Sequence, residues 1–211
     1  MQQTGNVCRG GVFLVDLGER KFKGMFEQVS ASIRSFGNFS PEQLSVIFPR
    51  MKVLNLCKGD YLIREGQVCQ SFYFINKGSF RHYTVQENGE EATLNLFISA
   101  DWLFEYKSFV TQQPSQNFIQ AVVDSEVLCL SARDFHELIK LSDTFFQLGR
   151  IFEQATQNQD FQHNRLSPEQ KYELLLSSKP ALLQHFPLKH IASYLGMTPE
   201  TLSRIRKKIS S

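Results

Sequence analysis

The end of the chain carries polar side chains of the types that contact nucleic acid. Glu200 and Arg204 are four residues apart, so they share one face if the segment is helical. A carboxylate can accept a hydrogen bond from the amino group of cytosine, and an arginine can donate two to guanine. Thr198, Thr201 and Ser203 suit phosphate or thymine contacts, and Lys207 and Lys208 suit phosphates. This spacing predicts a surface that reads a DNA duplex, formed by Thr198, Glu200, Thr201, Ser203, Arg204, Lys207 and Lys208.

Two short amphipathic helices would position this surface. Apolar residues recur at helical spacing along one seam: Ile191, Leu195, Met197, Leu202 and Ile205. Gly196 suits the turn between the helices, Thr198 suits the N-cap of the second, and Pro199 suits its first position. The spacing is that of a helix-turn-helix. Two alternatives remain, an ordinary helical hairpin and a basic C-terminal turn that only complements the helix dipole.

Residues 51 to 130 have a sequence pattern typical of strands joined by turns. Short runs rich in Val, Ile, Phe and Tyr alternate with glycine-containing breaks. The runs are Tyr61 to Arg64, Phe72 to Asn76, Phe80 to Val85, Ala92 to Ile98, Phe118 to Val123 and Val127 to Ser131. This pattern predicts an antiparallel barrel or jelly roll.

Helical patterns flank the predicted barrel. Ser40 and Ser167 each precede a proline and have a glutamine three residues on, which predicts a capped helix start at both places. Between residues 132 and 165 the spacing is again helical, with an apolar stripe that something must cover: Leu148, Ile151, Phe152 and Ala155. We favour pairing of this stripe with a second copy of the chain, and packing on the chain's own barrel is the alternative.

Composition is that of a folded chain without a membrane span. The 211 residues are 42% hydrophobic and carry a net charge of +2, so nucleic-acid contacts must come from a local basic patch. No apolar run approaches the roughly 20 residues that cross a bilayer, and a cytoplasmic protein is expected. The predicted parts are an uncertain extension at 1–24, a barrel domain at 25–141, a dimerisation helix and hinge at 142–166, and a helix-turn-helix domain at 167–211. Residues 1–24 are either an upstream extension or a short packed arm.

The order of elements from Phe26 to Ile209 resembles the Crp/Fnr family of bacterial transcription regulators. The resemblance rests on the turn glycines Gly59, Gly66, Gly78 and Gly89, on the segment DWLFEYKSFVTQQPSQNFIQAVVDSEVLCLS, and on the motif LGMTPETLSRIRKK. It implies an α+β fold with a cyclic-nucleotide-binding-like jelly roll, a long dimerisation helix and a C-terminal helix-turn-helix. It also implies a homodimer that binds double-stranded DNA and senses a small molecule in the barrel.

The phosphate-binding segment departs from the pattern of family members that bind cyclic AMP. Phe104 stands where those members have glycine before Glu105, and Ser115 and Gln116 stand where they have Arg and Ser. A cyclic phosphate needs a cation, and no basic residue lies between Ser108 and Glu126. We therefore expect a different effector, with a pocket lined by Glu105, Tyr106, Ser115 and Gln116. A barrel kept only as a scaffold is the alternative.

The DNA-reading segment departs from the family pattern as well. Family members often have Arg or Gln, then Glu, and then Arg four residues later on this helix. Pro199 stands at the first of these positions, and Glu200 and Arg204 match the other two. The sequence printed here stops at Ser211, so a helix-turn-helix without a following β wing is expected.

Catalytic and metal-binding patterns are missing from the sequence. The cysteines at positions 8, 57, 69 and 129 are too scattered for an iron–sulfur or zinc pattern, and buried free thiols are expected. The five histidines form no metal motif, and no nucleophile elbow or phosphate loop occurs. We expect no enzyme activity, metal or cofactor. The alternative function is a small-molecule-binding barrel whose C-terminal helices contact protein and not DNA.

Overall fold

The computed structural model describes residues 13–14, 19–157 and 166–209. The described helices are α1 (Glu19–Phe36), α2 (Pro41–Ile47), α3 (Tyr106–Thr111), α4 (Ala132–Leu141), α5 (Arg150–Gln157), α6 (Pro168–Ser178), α7 (Leu182–His185), α8 (Leu188–Tyr194) and α9 (Pro199–Ile209). The strands are β1 (Phe13–Leu14), β2 (Met51–Leu56), β3 (Tyr61–Ile63), β4 (Ser71–Lys77), β5 (Ser79–Val85), β6 (Glu91–Ile98), β7 (Trp102–Leu103), β8 (Asn117–Ala121) and β9 (Ser125–Ser131). Short 3₁₀ helices occupy Phe48–Arg50 and Asp143–Gly149.

The two serine-led segments begin helices as the sequence predicted. The Ser40 side chain accepts from the backbone N–H of Gln43, and the Gln43 side chain accepts from the backbone N–H of Ser40. Ser167 and Gln170 repeat the same reciprocal pair at the start of α6. Each reciprocal pair, known as a capping box, satisfies two backbone N–H donors at the helix start that would otherwise lack a partner within the helix.

Two antiparallel sheets form the barrel. Their strand orders are β1-β2-β9-β4-β7 and β3-β8-β5-β6. Aromatic side chains fill the space around Phe72, whose ring contacts those of Phe104, Phe109 and Phe135 at centroid distances of 5.0, 4.3 and 5.2 Å. The sequence-based prediction of an α+β fold with an antiparallel jelly roll is confirmed.

The boundaries predicted around the barrel differ from the structure. Most of the 1–24 segment lies outside the described residues, but α1 begins at Glu19 and runs across the predicted boundary at residue 24. Residues 143–149 form a 3₁₀ helix that precedes α5, so the predicted dimerisation segment is not one α-helix from residue 142. Residues 158–165 lie outside the described part.

The apolar stripe around α5 is covered, where it is described, by the chain's own barrel. Leu148 and Ile151 are buried in the barrel core. The Phe152 ring lies 5.3 Å from that of Phe72 and 5.4 Å from that of Phe104, centroid to centroid. The alternative, packing on the chain's own barrel, is thus found for Leu148 and Ile151, and in part for the half-buried Phe152. Pairing with a second copy of the chain stays a prediction. The side chain of Ala155 lies outside the described residues.

The described helices include no membrane span. The longest of them, α1, has 18 residues, and within the described ranges no helix combines the length and apolar character that a bilayer crossing requires.

We expect His82 in β5 to make the stability of the barrel depend on pH. It is buried, and its Nε2 has no hydrogen-bond partner within the described residues. Burial lowers the pKa of His82 from 6.5 to about 4. The folded state therefore disfavours the proton, and stability must fall as pH drops below 6.5, the unfolded value. We expect the free energy of unfolding to fall by about 2 kcal/mol between pH 7 and pH 5 because of this residue.

Urea unfolding at the two pH values measures this dependence. His82→Phe should remove that part of it, whereas His136→Gln, at an exposed position, should retain it. An unaltered pH dependence in His82→Phe would show that His82 is not its source.

Candidate nucleic-acid interface

A tight turn joins α8 to α9. Gly196 adopts a φ of +69°, a left-handed conformation that favours glycine. The backbone N–H of Gly196 donates to the carbonyl of Ser193 at 3.0 Å, and that of Met197 donates to the carbonyl of Ala192 at 2.9 Å. Ala192 is completely buried where the chain folds back on α8. The turn therefore fixes the angle at which α9 leaves α8.

One face of α9 is buried and the other is open. The seam predicted from the sequence is buried at Ile191, Leu195, Leu202 and Ile205, and partly buried at Met197. On the opposite side, the side chains predicted to contact DNA are exposed, with Thr201 half-buried; the exposed ones are Thr198, Glu200, Ser203, Arg204, Lys207 and Lys208. The structure thus places all seven predicted contacts on one short segment.

The first turn of α9 is held by hydroxyl groups. Thr198 Oγ1 accepts from the backbone N–H of Thr201 at 3.3 Å, which is the geometry of an N-cap. Arg204 Nη2 donates to Thr201 Oγ1 at 3.4 Å. These contacts hold Arg204 near the start of α9, and its other guanidinium donors remain available for a ligand.

Glu200 is an ionised acceptor at neutral pH. Its pKa is lowered by a hydrogen bond from its own backbone N–H, then by one involving Thr198, and also by the charge of Arg204. A carboxylate in the first turn is favourable to the helix dipole. Glu200 and Arg204 therefore present an anion and a cation side by side.

The C-terminal helices dock on the barrel through α8. The backbone N–H of Thr93 in β6 donates to Ser193 Oγ at 2.8 Å. Leu96 of β6 is buried in the same apolar cluster as α8 and α9, and Ile98 and Val122 pack against that cluster. Because β6 is the last strand of its sheet, α8 covers an edge that would otherwise be open. Sequence reasoning missed this contact.

The predicted effector pocket is only partly assembled. Glu105 is buried, with 3% of its surface exposed. Its carboxylate accepts from the backbone N–H of Ser108 at 2.6 Å and from Asn117 Nδ2 at 3.2 Å. Ser115 is also buried, and its Oγ accepts from the backbone N–H of Asn117 at 2.9 Å. Asn117 thus links the two predicted residues, which already have internal partners.

The other two predicted pocket residues point outward. Tyr106 is 37% exposed and its ring packs on those of Phe104 and Phe152. Gln116 is exposed. Phe104 itself is buried among aromatic rings. The phenylalanine that replaces the family glycine therefore belongs to the core of the barrel.

The cysteines behave differently from one another. Cys69 and Cys129 are free, and burial raises the pKa of the Cys69 thiol to about 11, so that thiol is protonated at neutral pH. Cys57 is disulfide-bonded, so the expectation of a free thiol at that position is wrong. Across the described ranges, no group of three or more His, Cys, Asp or Glu side chains is arranged to hold a metal ion.

Comparison with known proteins identifies the barrel. Residues 53–142 match the cyclic nucleotide-binding domain family. The chain is 27% identical over 189 residues to the electron transport regulator A of Shewanella oneidensis, which covers 78% of this chain and 70% of the relative. It is also 27% identical over 188 residues to the fumarate and nitrate reduction regulatory protein of Vibrio cholerae, with the same coverage of 78% and 70%.

The fold has solved counterparts. The catabolite activator protein of Thermus thermophilus superposes with a TM-score of 0.53 at 20% identity, covering 85% of this chain and 86% of that one. At this identity the likeness concerns the fold alone. The chain is therefore similar to a cyclic nucleotide-binding domain over residues 53–142, and over most of its length to two bacterial regulatory proteins.

Proposed function

We propose that the chain is a DNA-binding transcription regulator of the Crp/Fnr type. The observation that supports this most directly is the exposure of Glu200 and Arg204 on α9 while the opposite face of α9 is buried. A helix held this way can enter the major groove, which is wide enough to admit it. The docking of α8 on β6 supports the proposal further, because it occupies α8 and leaves the open face of α9 for a duplex.

The charge of the chain suits contact with DNA through this helix. The net charge of the whole chain is only +2, but α9 contains four basic residues, Arg204, Arg206, Lys207 and Lys208. Glu200 is the single acidic residue of α9. Phosphate contacts from the last turn would fix the register of the helix, and Glu200 and Arg204 would then read base edges.

We propose a homodimer on double-stranded DNA. Helix-turn-helix proteins that act as dimers bind two half-sites about one helical turn apart, so a selected site should be a near-palindrome. Selection of bound fragments from a random duplex pool at low salt tests this proposal. A retained sequence with two-fold symmetry is expected. If no sequence is retained, the alternative of helices that contact protein is favoured.

Affinity for the selected duplex should fall steeply with salt. Lys207 and Lys208 on each of two copies provide about four phosphate contacts, and each contact releases counterions. Raising the salt from about 50 mM to about 200 mM should weaken binding roughly 100-fold. Fluorescence anisotropy with a labelled duplex measures this change. Binding that is independent of salt would argue against a surface made by these lysines.

We propose that any effector bound by the barrel is not cyclic AMP. Glu105 already caps α3 and accepts from Asn117, and Phe104 fills core space. The loop that would face the phosphate supplies no cation, since no basic residue lies between Ser108 and Glu126. Isothermal titration of the full chain with cyclic AMP should give no saturable binding up to about 1 mM, a dissociation constant worth only about 4 kcal/mol. Saturable binding below that concentration would contradict the proposal.

A further inference from the structure

A cleft of about 610 Å³ lies between the barrel and the C-terminal helices. Lys58, Arg81 and Val122 line its barrel side. Phe186 and Lys189 line its helical side. Its volume falls in the range of about 300 to 1,000 Å³ that is common for small-molecule sites. It lies apart from the four residues that the sequence predicted for the effector pocket.

Basic side chains line both walls of the cleft. Lys58 and Lys189 are exposed and form no ion pair within the described residues. Two acidic groups that contact residues of the cleft lining are held by those contacts. Glu91 pairs with Arg81 at 2.5 Å, and Asp124 accepts from the backbone N–H of Lys58 at 2.8 Å. The ammonium groups of the two lysines are therefore available to a ligand.

His190 adds an uncharged hydrogen-bonding group to the cleft. It lines the cleft and is half-buried. Its pKa is lowered from 6.5 to about 4, first by burial and then by the charges of Arg81 and Lys189, while Glu91 acts in the opposite direction. At neutral pH His190 is thus an uncharged imidazole that can donate one hydrogen bond. The charges of Arg81 and Lys189, which contribute to this shift, would attract an anion placed beside them.

Apolar surface completes the lining. Val123, which is 42% exposed, and the exposed Pro187 border the cleft, together with the half-buried Val122. A ligand that contains only an anionic group would leave this surface wet. A ligand with an apolar body can cover it and place its charge between the lysines.

We propose that this cleft binds a small organic anion, with a compact anionic group on an aromatic or aliphatic body. The anionic group would lie between Lys58 and Lys189, and the body would cover Val123 and Pro187. Such a ligand joins the barrel to α8, the helix whose Ser193 already accepts from Thr93. It would hold α8 and α9 against the barrel and thereby regulate access of α9 to DNA. This regulatory step alone rests on the proposed function.

Phenyl phosphate is a suitable probe, because it combines a ring with an anionic group. Isothermal titration of the full chain should show saturable binding, and phenol, which has the ring without the charge, should bind at least about tenfold more weakly. The double variant Lys58→Gln, Lys189→Gln should lose about tenfold in affinity for phenyl phosphate. The matched variant Lys52→Gln, Lys107→Gln removes two exposed lysines elsewhere and should bind as the unmodified chain does. No saturable binding, or equal losses in the two variants, would overturn the proposal.

A second measurement locates the ligand. The imidazole Cε1–H resonance of His190 should shift as phenyl phosphate is added, with the same dissociation constant as the titration. Binding that leaves this resonance unmoved would overturn the assignment to the cleft. Neither measurement contains DNA, so a failure here leaves the DNA-binding proposal standing, and a failure to select DNA leaves the cleft proposal standing.

Discussion

Arg204→Ala should abolish the preference of the protein for one base pair in each half-site. Arg204 lies exposed on the first turns of α9, four residues after the ionised Glu200. A bidentate contact with guanine contributes about 1 to 3 kcal/mol of discrimination, so two copies on a symmetric site should lose about 2 to 6 kcal/mol. Competition between the selected duplex and duplexes changed at single base pairs measures this loss. The folded chain should keep its thermal midpoint, because the side chain is exposed.

Arg204→Lys separates base reading from charge. Lysine retains the positive charge and lacks the planar fork of the guanidinium. It should therefore keep most of the affinity for unrelated duplexes and still lose the preference for guanine. If Arg204→Ala weakens every duplex by the same factor, Arg204 contacts phosphate and does not read a base.

Gly78→Ala should unfold the barrel or destabilise it by roughly 3 to 5 kcal/mol, the sum of backbone strain and overpacking. Gly78 joins β4 to β5 with a φ of +110°, a conformation that side chains other than glycine rarely adopt. A Cβ at this position would also lie 2.1 Å from Ser125 Oγ and 2.8 Å from Ser125 Cα. Ser125 is buried at the start of β9, so neither backbone can move away without disturbing the sheet.

Gly89→Ala is the matched control for this substitution. Gly89 also has a positive φ, +82°, but a Cβ there would meet no atom within 4 Å. It should cost only the backbone strain, about 1 kcal/mol. Urea unfolding followed by circular dichroism compares the two variants. Equal losses of stability would show that the approach to Ser125 does not limit this turn.

Local signals in the sequence predicted much of the fold. The capped starts of α2 and α6 depend on residues three positions apart, so Ser40 and Ser167 could be recognised without any knowledge of the tertiary structure. The turn at Gly196 and the open face of α9 depend on similarly short spacings. Strand positions followed from the alternation of apolar runs and glycine turns, and β5 and β6 begin within one residue of their predicted starts.

Contacts between distant parts of the chain could not be predicted in this way. Thr93 and Ser193 are 100 residues apart, and nothing in either local sequence indicates that α8 covers the edge of β6. The cleft could not be predicted for the same reason, because its lining comes from the barrel and from the C-terminal helices, which are far apart in the sequence. The stripe around Phe152 showed that an apolar surface needs a partner, but its periodicity could not identify whether the partner was the barrel or a second chain.

Two of the four residues predicted to line the effector pocket already have hydrogen-bond partners within the fold. Glu105 and Ser115 were chosen because polar residues near a phosphate-binding segment suit a ligand. In the structure both are used to hold the loop around α3, through Ser108 and Asn117. A short helix with a buried start must satisfy its N–H groups internally, and a carboxylate is well suited to do so.

The most direct test is to cross-link the selected duplex to a photoreactive residue placed at Ser203 in α9. Ser45, an exposed residue of α2, which precedes β2 in the chain, provides the comparison position. Cross-links from position 203 to bases within each half-site, and none from position 45, are the result expected if α9 enters the groove. A duplex that is bound with full affinity and yields no cross-link from position 203 would contradict the claim that this face of α9 reads DNA.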